Sequence, residues 1–267
     1  MWGTRTNLRP DGWRPEPGQA VDVLALGRSG SAICARTVPG SVRVLVEAGG
    51  SSIHPVEGEI FTLAVRTRSL DGALWVLQGS IRSPRFDVAA LGLEPLTLTP
   101  RPLAALPGDI GRPAFELERV VPRVPGFPLE GAAALAEIEA FWEADDRELA
   151  ELLAGELLAR DLRCLEIHAL LGGFFERGPV EERWTERALR HFRTGVAIGE
   201  LSLNESFEGV LPWRWRGNRG FLRCLYGQAR CLERLGEDAR AWESYGRLLT
   251  LAPEDPMDIR ALLETEI

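Results

Sequence analysis

The spacing of apolar positions changes along this chain, from about two residues to about 3.6. Before about residue 100, five segments alternate or run apolar over strand-like lengths: AVDVLAL, SAICARTV, SVRVLVEA, EIFTLAVRT and ALWVLQGSI. From residue 129 onward, the apolar residues recur at helical spacing. The pattern predicts an all-β region followed by an all-α region.

The turns between the strand-like segments favour antiparallel hairpins. Gly30, Gly40 and Gly72 each lie between two such segments, where glycine supplies a positive φ without a Cβ clash. Consecutive hairpins of about five or six strands in a segment this short close most economically into a small barrel. We therefore predict an SH3-like or OB-like antiparallel β-barrel over residues 18–100, preceded by an N-terminal tail over residues 1–17.

A proline-rich segment separates the two regions. Residues 101–128 carry a proline every few positions, and proline interrupts both helix interiors and sheet ladders. The apolar residues Phe115, Val120 and Val121 indicate that this connector is ordered in part along a domain surface. The helical domain then covers residues 129–267.

Helical periodicity predicts about six or seven helices in this last domain. The clearest segments are LEGAAALAEIEAFWEA, DDRELAELLAGELLAR, DLRCLEIHALLGGFFER and PVEERWTERALRHFRTGVAIGE. Asp145 or Asp146 is placed to cap the second of them. Pro256 opens a final short helix through DIRALLETE.

The segment GFLRCLYGQARCLERLGEDARAWESYGRLLTLAPED has the residue order of one tetratricopeptide-type helical hairpin. Ala229 and Ala241 allow two helices to approach where they cross, and Tyr245 fills the space between them. Gly236 permits the tight turn, and Pro253 ends the second helix. One repeat cannot bury its own face, so the preceding helices must stack on it as an α-solenoid.

The longer segment NRGFLRCLYGQARCLERLGEDARAWESYGRLLTLAPEDPMDIRALL resembles the C-terminal part of bacterial tetratricopeptide-repeat proteins related to the suppressor of tumorigenicity 7 family. In those proteins an Asn-Arg or Thr-Arg pair precedes the repeat, and a polar turn after the closing proline leads into an Arg-containing helix. Leu232 and Leu248 depart from the usual aromatic residue and alanine. The resemblance implies a scaffolding role and no catalytic residues.

Composition excludes several mechanisms. All 31 basic residues are arginine, so a Schiff-base lysine, a pyridoxal-phosphate anchor and a P-loop lysine are impossible. The four cysteines lack the dense spacing of a secreted disulfide framework. No apolar run approaches the roughly 18 residues of a membrane span, and no apolar signal core opens the chain. We expect a cytoplasmic protein that does not enter a membrane.

Candidate catalytic and metal sites are weak. Cys164 with His168, and Cys224 with Cys231, each share a predicted helix face, but two donors fall short of the four ligands of a structural zinc site. Core packing explains these residues better. No GxSxG motif or partnered histidine indicates a nucleophile. We predict a protein without enzymatic activity, metal or cofactor.

The charge distribution suggests where each class of partner would bind. Residues 1–105 carry 11 arginines and 9 acidic residues, whereas residues 106–267 carry 20 arginines and 30 acidic residues. The acidic helical domain should repel nucleic acid. The barrel arginines Arg66, Arg68, Arg82 and Arg85 could bind a nucleic-acid backbone, or could be ordinary exposed strand residues.

Two clusters are candidate partner-binding sites. The first alternates aromatic and basic residues at Trp213, Arg214, Trp215 and Arg216. If extended, it would place its tryptophans on one side as a binding edge. Alternatively, the tryptophans cover the core beneath a loop, while Asn218 and Arg219 cap the next helix.

The second cluster follows helical spacing at Arg223, Tyr226, Arg230 and Arg234. Guanidiniums around a tyrosine suit an acidic peptide or a C-terminal carboxylate. They could equally pair with neighbouring glutamates. We therefore predict an adaptor that binds a partner protein or peptide through the helical domain. The alternative is a nucleic-acid-associated protein that binds through its barrel and recruits through its helices.

Overall fold

The computed structural model describes residues 13–40, 42–49, 53–72, 74–102, 111–123, 131–178, 182–204 and 206–261. The strands are β1 Ala20–Ser29, β2 Ala32–Thr37, β3 Arg43–Glu47, β4 Ile60–Asp71, β5 Leu74–Arg85, β6 Leu98–Arg101 and β7 Ala114–Leu117. The helices are α1 Val88–Leu91, α2 Ala132–Glu143, α3 Arg147–Leu158, α4 Leu165–Glu176, α5 Glu182–Glu200, α6 Arg216–Arg234 and α7 Asp238–Leu251.

Strands β1 to β5 form a closed barrel in the order β1-β2-β3-β5-β4. Antiparallel pairing of β1 with β4 closes it, and β3 pairs with β5 in parallel. All five predicted strand segments are confirmed. Alternate side chains fill the interior because a strand directs successive residues to opposite faces, and Val23, Phe61 and Leu77 lie at its centre. Trp13, from the predicted tail, packs against this core, whereas residues 1–12 lie outside the described part.

The compact units of the chain differ from the predicted domain limits. One unit comprises residues 1–92 and 121–162, and the other comprises residues 93–120 and 163–267. Helices α2 and α3 therefore belong with the barrel. Helix α3 packs on β1, and a Cβ added to Gly27 would lie 3.0 Å from the Cα of Gly155. Only glycine allows two backbones to approach this closely.

Strands β6 and β7 form a two-stranded antiparallel sheet inside the second unit. Strand β7 and the last residue of β6 lie in the segment predicted to be a connector, and the rest of β6 lies at the end of the predicted barrel domain. Pro100 lies within β6, a position compatible with proline because β6 is an edge strand. The apolar residue Phe115 lies in β7, which agrees with the expectation that the connector is partly ordered. Residues 103–110 and 124–130 lie outside the described part.

The second unit also contains helices α4 to α7. Gly220 on α6 lies beside Glu166 at the start of α4, and Arg230 farther along α6 contacts Glu176 at the end of α4. Helices α4 and α6 therefore run in the same direction. Helix α5 contacts both and runs in the opposite direction, since its residues Phe192 and Gly199 contact successively earlier positions of α6.

Glycines allow these helices to pack closely. The ring of Phe192 lies between Gly172 on α4 and Gly227 on α6, and a Cβ would come within 2.5 Å of that ring at Gly172 and within 2.3 Å at Gly227. Similarly, a Cβ on Gly199 would lie 2.3 Å from the ring of Phe221. Large rings thus fill the space that the glycines leave.

The predicted hairpin at the end of the chain is present as α6 and α7. Ala229, Ala241 and Tyr245 are buried where the two helices pack, and the Tyr245 hydroxyl donates to Glu233 at 2.9 Å. Gly236 makes the turn with φ of 73°. Asp146 caps α3 by accepting from the Leu149 backbone N–H, as predicted for one of the two aspartates. Residues 259–261 begin the final helix, and residues 262–267 lie outside the described part.

Candidate functional site

The stripe predicted on α6 exists, but its C-terminal half is occupied by an internal contact. The Nε of Arg230 donates to the Glu176 carboxylate at 2.8 Å, and Arg234 donates to the Glu176 backbone carbonyl at 2.8 Å. Arg230 also donates to the Tyr226 hydroxyl at 3.4 Å. This hydrogen bond, together with the charge of Glu176, raises the pKa of Arg230 although burial opposes the shift.

Internal pairing, the alternative that the sequence left open, therefore describes Arg230 and Arg234. The Glu176 side chain is only 16% exposed, so its charge is poorly solvated without these two guanidiniums. Arg223, at the other end of the stripe, is exposed and forms no such pair with any described residue. The negative charge of Glu176 thus compensates the arginines at the C-terminal end of the stripe and not the one at its N-terminal end.

The Trp-Arg segment is a turn and not an extended strand, which corrects one expectation. Residues 213–215 bend into α6, which begins at Arg216 with Trp215 at its N-cap position. Consequently Asn218 and Arg219 lie inside the helix and do not cap it. Both tryptophans are half-buried, whereas Arg214 and Arg216 are exposed. The tryptophans therefore both cover the core and present an edge to solvent.

Trp213 lies between two arginines of α6. The guanidinium carbons of Arg219 and Arg223 are each 5.5 Å from the centre of its ring. Arg219 also donates from Nε to the Trp213 carbonyl at 2.9 Å. Arg214 lies over the Trp215 ring at 5.4 Å. Both distances are in the range of cation–π contacts.

Asn218, which the sequence suggested as a helix cap, has a different structural role. Its side chain is fully buried, and its Oδ1 accepts from the Leu117 backbone N–H at 2.9 Å. Its Nδ2 donates to the carbonyls of Phe115 and Pro212, both at 3.0 Å. One carboxamide thus attaches the outer edge of β7 and the turn before α6 to each other. The Asn-Arg pair that precedes the repeat was the available sequence signal.

The four barrel arginines are not equivalent. Arg68 donates to the Pro15 carbonyl at 2.6 Å, pairs with Glu16 at 2.9 Å and lies over the Trp75 ring. Arg85 pairs with Asp22 at 2.6 Å. Arg66 and Arg82 are exposed. Two of the four therefore stabilise the barrel and its N-terminal segment, and two face solvent.

The histidine and cysteine pairs lie in the core. Cys164, Cys224 and Cys231 are buried, as are His168 and His191. Burial raises the pKa of Cys231, and likewise of Cys34 in the barrel, to about 12. Within the described residues, no three or more His, Cys, Asp or Glu side chains gather as metal ligands would. These cysteines and histidines are therefore core side chains.

No protein-family model, curated protein or solved structure matches this chain. Among the helices of the described residues, none combines the length and apolar content needed to cross a bilayer. The functional argument therefore depends on the geometry and charges of the α6 surface.

Proposed function

We propose that this protein is a non-enzymatic adaptor that binds a partner protein through its second compact unit. The observation that carries this proposal is the helix arrangement: α4 and α6 run parallel, and α5 runs antiparallel between them. With α7 as the partner of α6, this arrangement supports the interpretation of α4–α7 as two stacked tetratricopeptide-type hairpins. Such stacks present the first helices of successive hairpins side by side, and they bind extended partner segments.

The solvent-facing residues of α6 support this interpretation. Arg223 and Arg234 are exposed, and Tyr226 is half-buried between them. Tyrosine and arginine are the side chains enriched at protein interfaces, since they combine large contact area with several hydrogen-bond donors. The Tyr226 ring packs against the Tyr245 ring, with 6.2 Å between the ring centres. The surface is therefore fixed in shape before a partner arrives.

The barrel offers less support for the alternative, binding of nucleic acid. Its strand order, with the parallel β3–β5 pair, is that of an OB-like barrel, in which oligonucleotides bind across strands 2–3 and the loops β1–β2 and β4–β5. Here each of those loops has only two residues, 30–31 and 72–73. Moreover, Leu24 and Cys34 alternate with the interior residues of β1 and β2, so they point outward, yet both are buried. The acidic helix α3 packs at this face, where Glu156 lies close enough to Cys34 to help raise its pKa, after burial itself.

An affinity capture with the intact protein tests the proposal. The chain has no lysine, so an amine-reactive resin holds it by its N-terminal amino group alone and leaves the helices accessible. The expected result is a protein partner that is retained after nuclease treatment. The captured material should be analysed for both protein and nucleic acid. Retention of nucleic acid alone, released steeply as salt rises, would refute the adaptor function in favour of the alternative.

A further inference from the structure

The segment that leads into α6 carries a local charge opposite to that of its surroundings. Between Glu208 and Glu233 the chain has five arginines and no acidic residue, whereas the rest of the second unit, residues 93–120 and 163–267, has 13 arginines and 21 acidic residues. Four of these arginines cluster with two tryptophans at the N-terminal end of α6. We call this group the Arg–Trp surface: Trp213, Arg214, Trp215, Arg216, Arg219 and Arg223.

The arginines of this surface lack the internal partners that other arginines of the unit possess. Arg230 is paired with Glu176, Arg247 with Glu200 and Arg119 with Glu166. Within the described residues, by contrast, none of the four guanidiniums of the Arg–Trp surface forms an ion pair with a carboxylate.

This clustering of arginines does not stabilise helix α6. Arg216, Arg219 and Arg223 follow each other at spacings of three and four on α6, where like charges repel. They also lie at the positive end of the helix dipole, with no acidic residue in the first turn. Contacts with the tryptophan rings and the Arg219 hydrogen bond to the Trp213 carbonyl compensate in part, and such a local departure from helix-stabilising sequence is typical of residues kept for binding.

The surface is held rigidly by the backbone beneath it. The Trp213 backbone N–H donates to the Glu254 carboxylate, and the Leu211 N–H donates to the Leu251 carbonyl at 2.7 Å. Asn218 fixes the same turn from the other side through Pro212. The tryptophan rings are therefore pre-positioned, and little ordering is needed when a ligand binds.

We infer that the Arg–Trp surface binds an acidic segment of the partner protein, in which Asp or Glu residues alternate with apolar ones. This inference rests on the adaptor function proposed above. Planar guanidiniums match carboxylates in bidentate geometry, and the half-exposed edges of the tryptophans suit apolar side chains between those carboxylates. A peptide of moderate charge fits better than a nucleic acid, because the surrounding acidic unit repels a continuous polyanion.

Fluorescence anisotropy with two labelled probes tests this inference. The first is a short peptide of alternating Asp, Glu and Leu, and the second is a single-stranded oligonucleotide of equal length. The test variant is Arg214→Glu/Arg223→Glu, because both side chains are exposed and lie over tryptophan rings. The control is Arg66→Glu/Arg82→Glu, which changes the net charge equally on the barrel.

We expect the unmodified protein to bind the peptide, and the test variant to bind it at least about tenfold more weakly, equivalent to about 1.4 kcal/mol. The control should retain its affinity, and circular dichroism should show that the test variant melts no lower than the unmodified protein. Three results would overturn the inference: no peptide binding, equal losses in both variants, or tighter binding of the oligonucleotide through the same arginines.

The outcomes separate this inference from the proposed function. If affinity capture retains a protein partner equally with the unmodified chain and with Arg214→Glu/Arg223→Glu, the adaptor function stands and the Arg–Trp surface is not its site. If the unmodified chain captures no protein, the adaptor function itself fails. Loss of the partner in the test variant alone supports both.

Discussion

Replacing the buried carboxamide of Asn218 should destabilise the protein more than any other loss of one polar side chain on α6. In Asn218→Ala, the N–H of Leu117 and the carbonyl of Phe115 lose their partners. Strand β6 cannot replace them, because both groups point away from it, whereas the Pro212 carbonyl keeps a bond from the Trp215 N–H at 3.3 Å. The N–H is buried and the carbonyl is partly buried, and a buried polar group without a partner costs roughly 1–3 kcal/mol, so we expect a loss of about 2 kcal/mol.

Urea unfolding followed by circular dichroism measures this loss, and hydrogen exchange reports the amide of Leu117 directly. Gln228→Ala is the matched control on the same helix. Its carboxamide is half-buried and donates to the Ser244 hydroxyl at 2.9 Å, so its removal should cost less than about 1 kcal/mol. Equal stabilities of the two variants would refute the structural role of Asn218.

Asn218→Asp adds a test that keeps the side-chain volume. Its carboxylate would face the carbonyl oxygens of Phe115 and Pro212, which now accept hydrogen bonds. The carboxylate would keep the Leu117 N–H as a donor, but burial and the two facing carbonyl oxygens disfavour its ionised form, so the loss of stability should be largest near neutral pH. It should shrink as the pH falls and the carboxyl becomes protonated. A loss independent of pH would contradict this account.

Three further predictions concern packing, pairing and thiol reactivity. Gly227→Ala would place a Cβ 2.3 Å from an aromatic ring and should lower the melting temperature, whereas Gly246→Ala, with open space around it, should raise it slightly. Arg230→Glu would place a second carboxylate beside Glu176 and should lower the free energy of unfolding in urea by about 1–2 kcal/mol. The peptide affinity per folded molecule should stay unchanged. Since burial raises the pKa of Cys34 and Cys231 to about 12, neither thiol should react with Ellman's reagent at pH 8 until denaturant is added.

The sequence was sufficient for the elements whose signals are local. Five strands could be predicted because apolar alternation and glycine turns lie within a few residues of each other. The α6–α7 hairpin could be predicted because Ala229, Gly236 and Tyr245 have fixed spacings along one segment. In both cases the sequence signal lies within the same short segment that forms the strand or the helix.

Features that depend on distant parts of the chain could not be predicted in this way. Helix α3 packs on the barrel through contact of Gly155 with Gly27, and nothing in the helical periodicity of α3 selects that neighbour. Strands β6 and β7 lie in a proline-rich segment, where local propensity argues against strands. Tertiary hydrogen bonds from Asn218 overcome that local preference at the edge of β7.

The candidate site shows the same limit. Helical spacing on α6 predicted that Arg223, Tyr226, Arg230 and Arg234 share one face. Which of these arginines are neutralised depends on the parallel packing of α4 and α6, which brings Glu176 next to Arg230. The sequence left open whether the Trp-Arg segment is extended or a turn, because the start of α6 at Arg216 has no conventional capping residue.

The division of the chain has a consequence for biosynthesis. Each compact unit combines two separate stretches, residues 1–92 with 121–162, and residues 93–120 with 163–267. No single cut can therefore release both units intact. On the ribosome the five barrel strands emerge well before α2 and α3, and β6 and β7 must wait for α4 to α7. A ribosome that stalls between residues 121 and 162 leaves both units unfinished, and the second unit stays exposed to aggregation and proteolysis until translation is nearly complete.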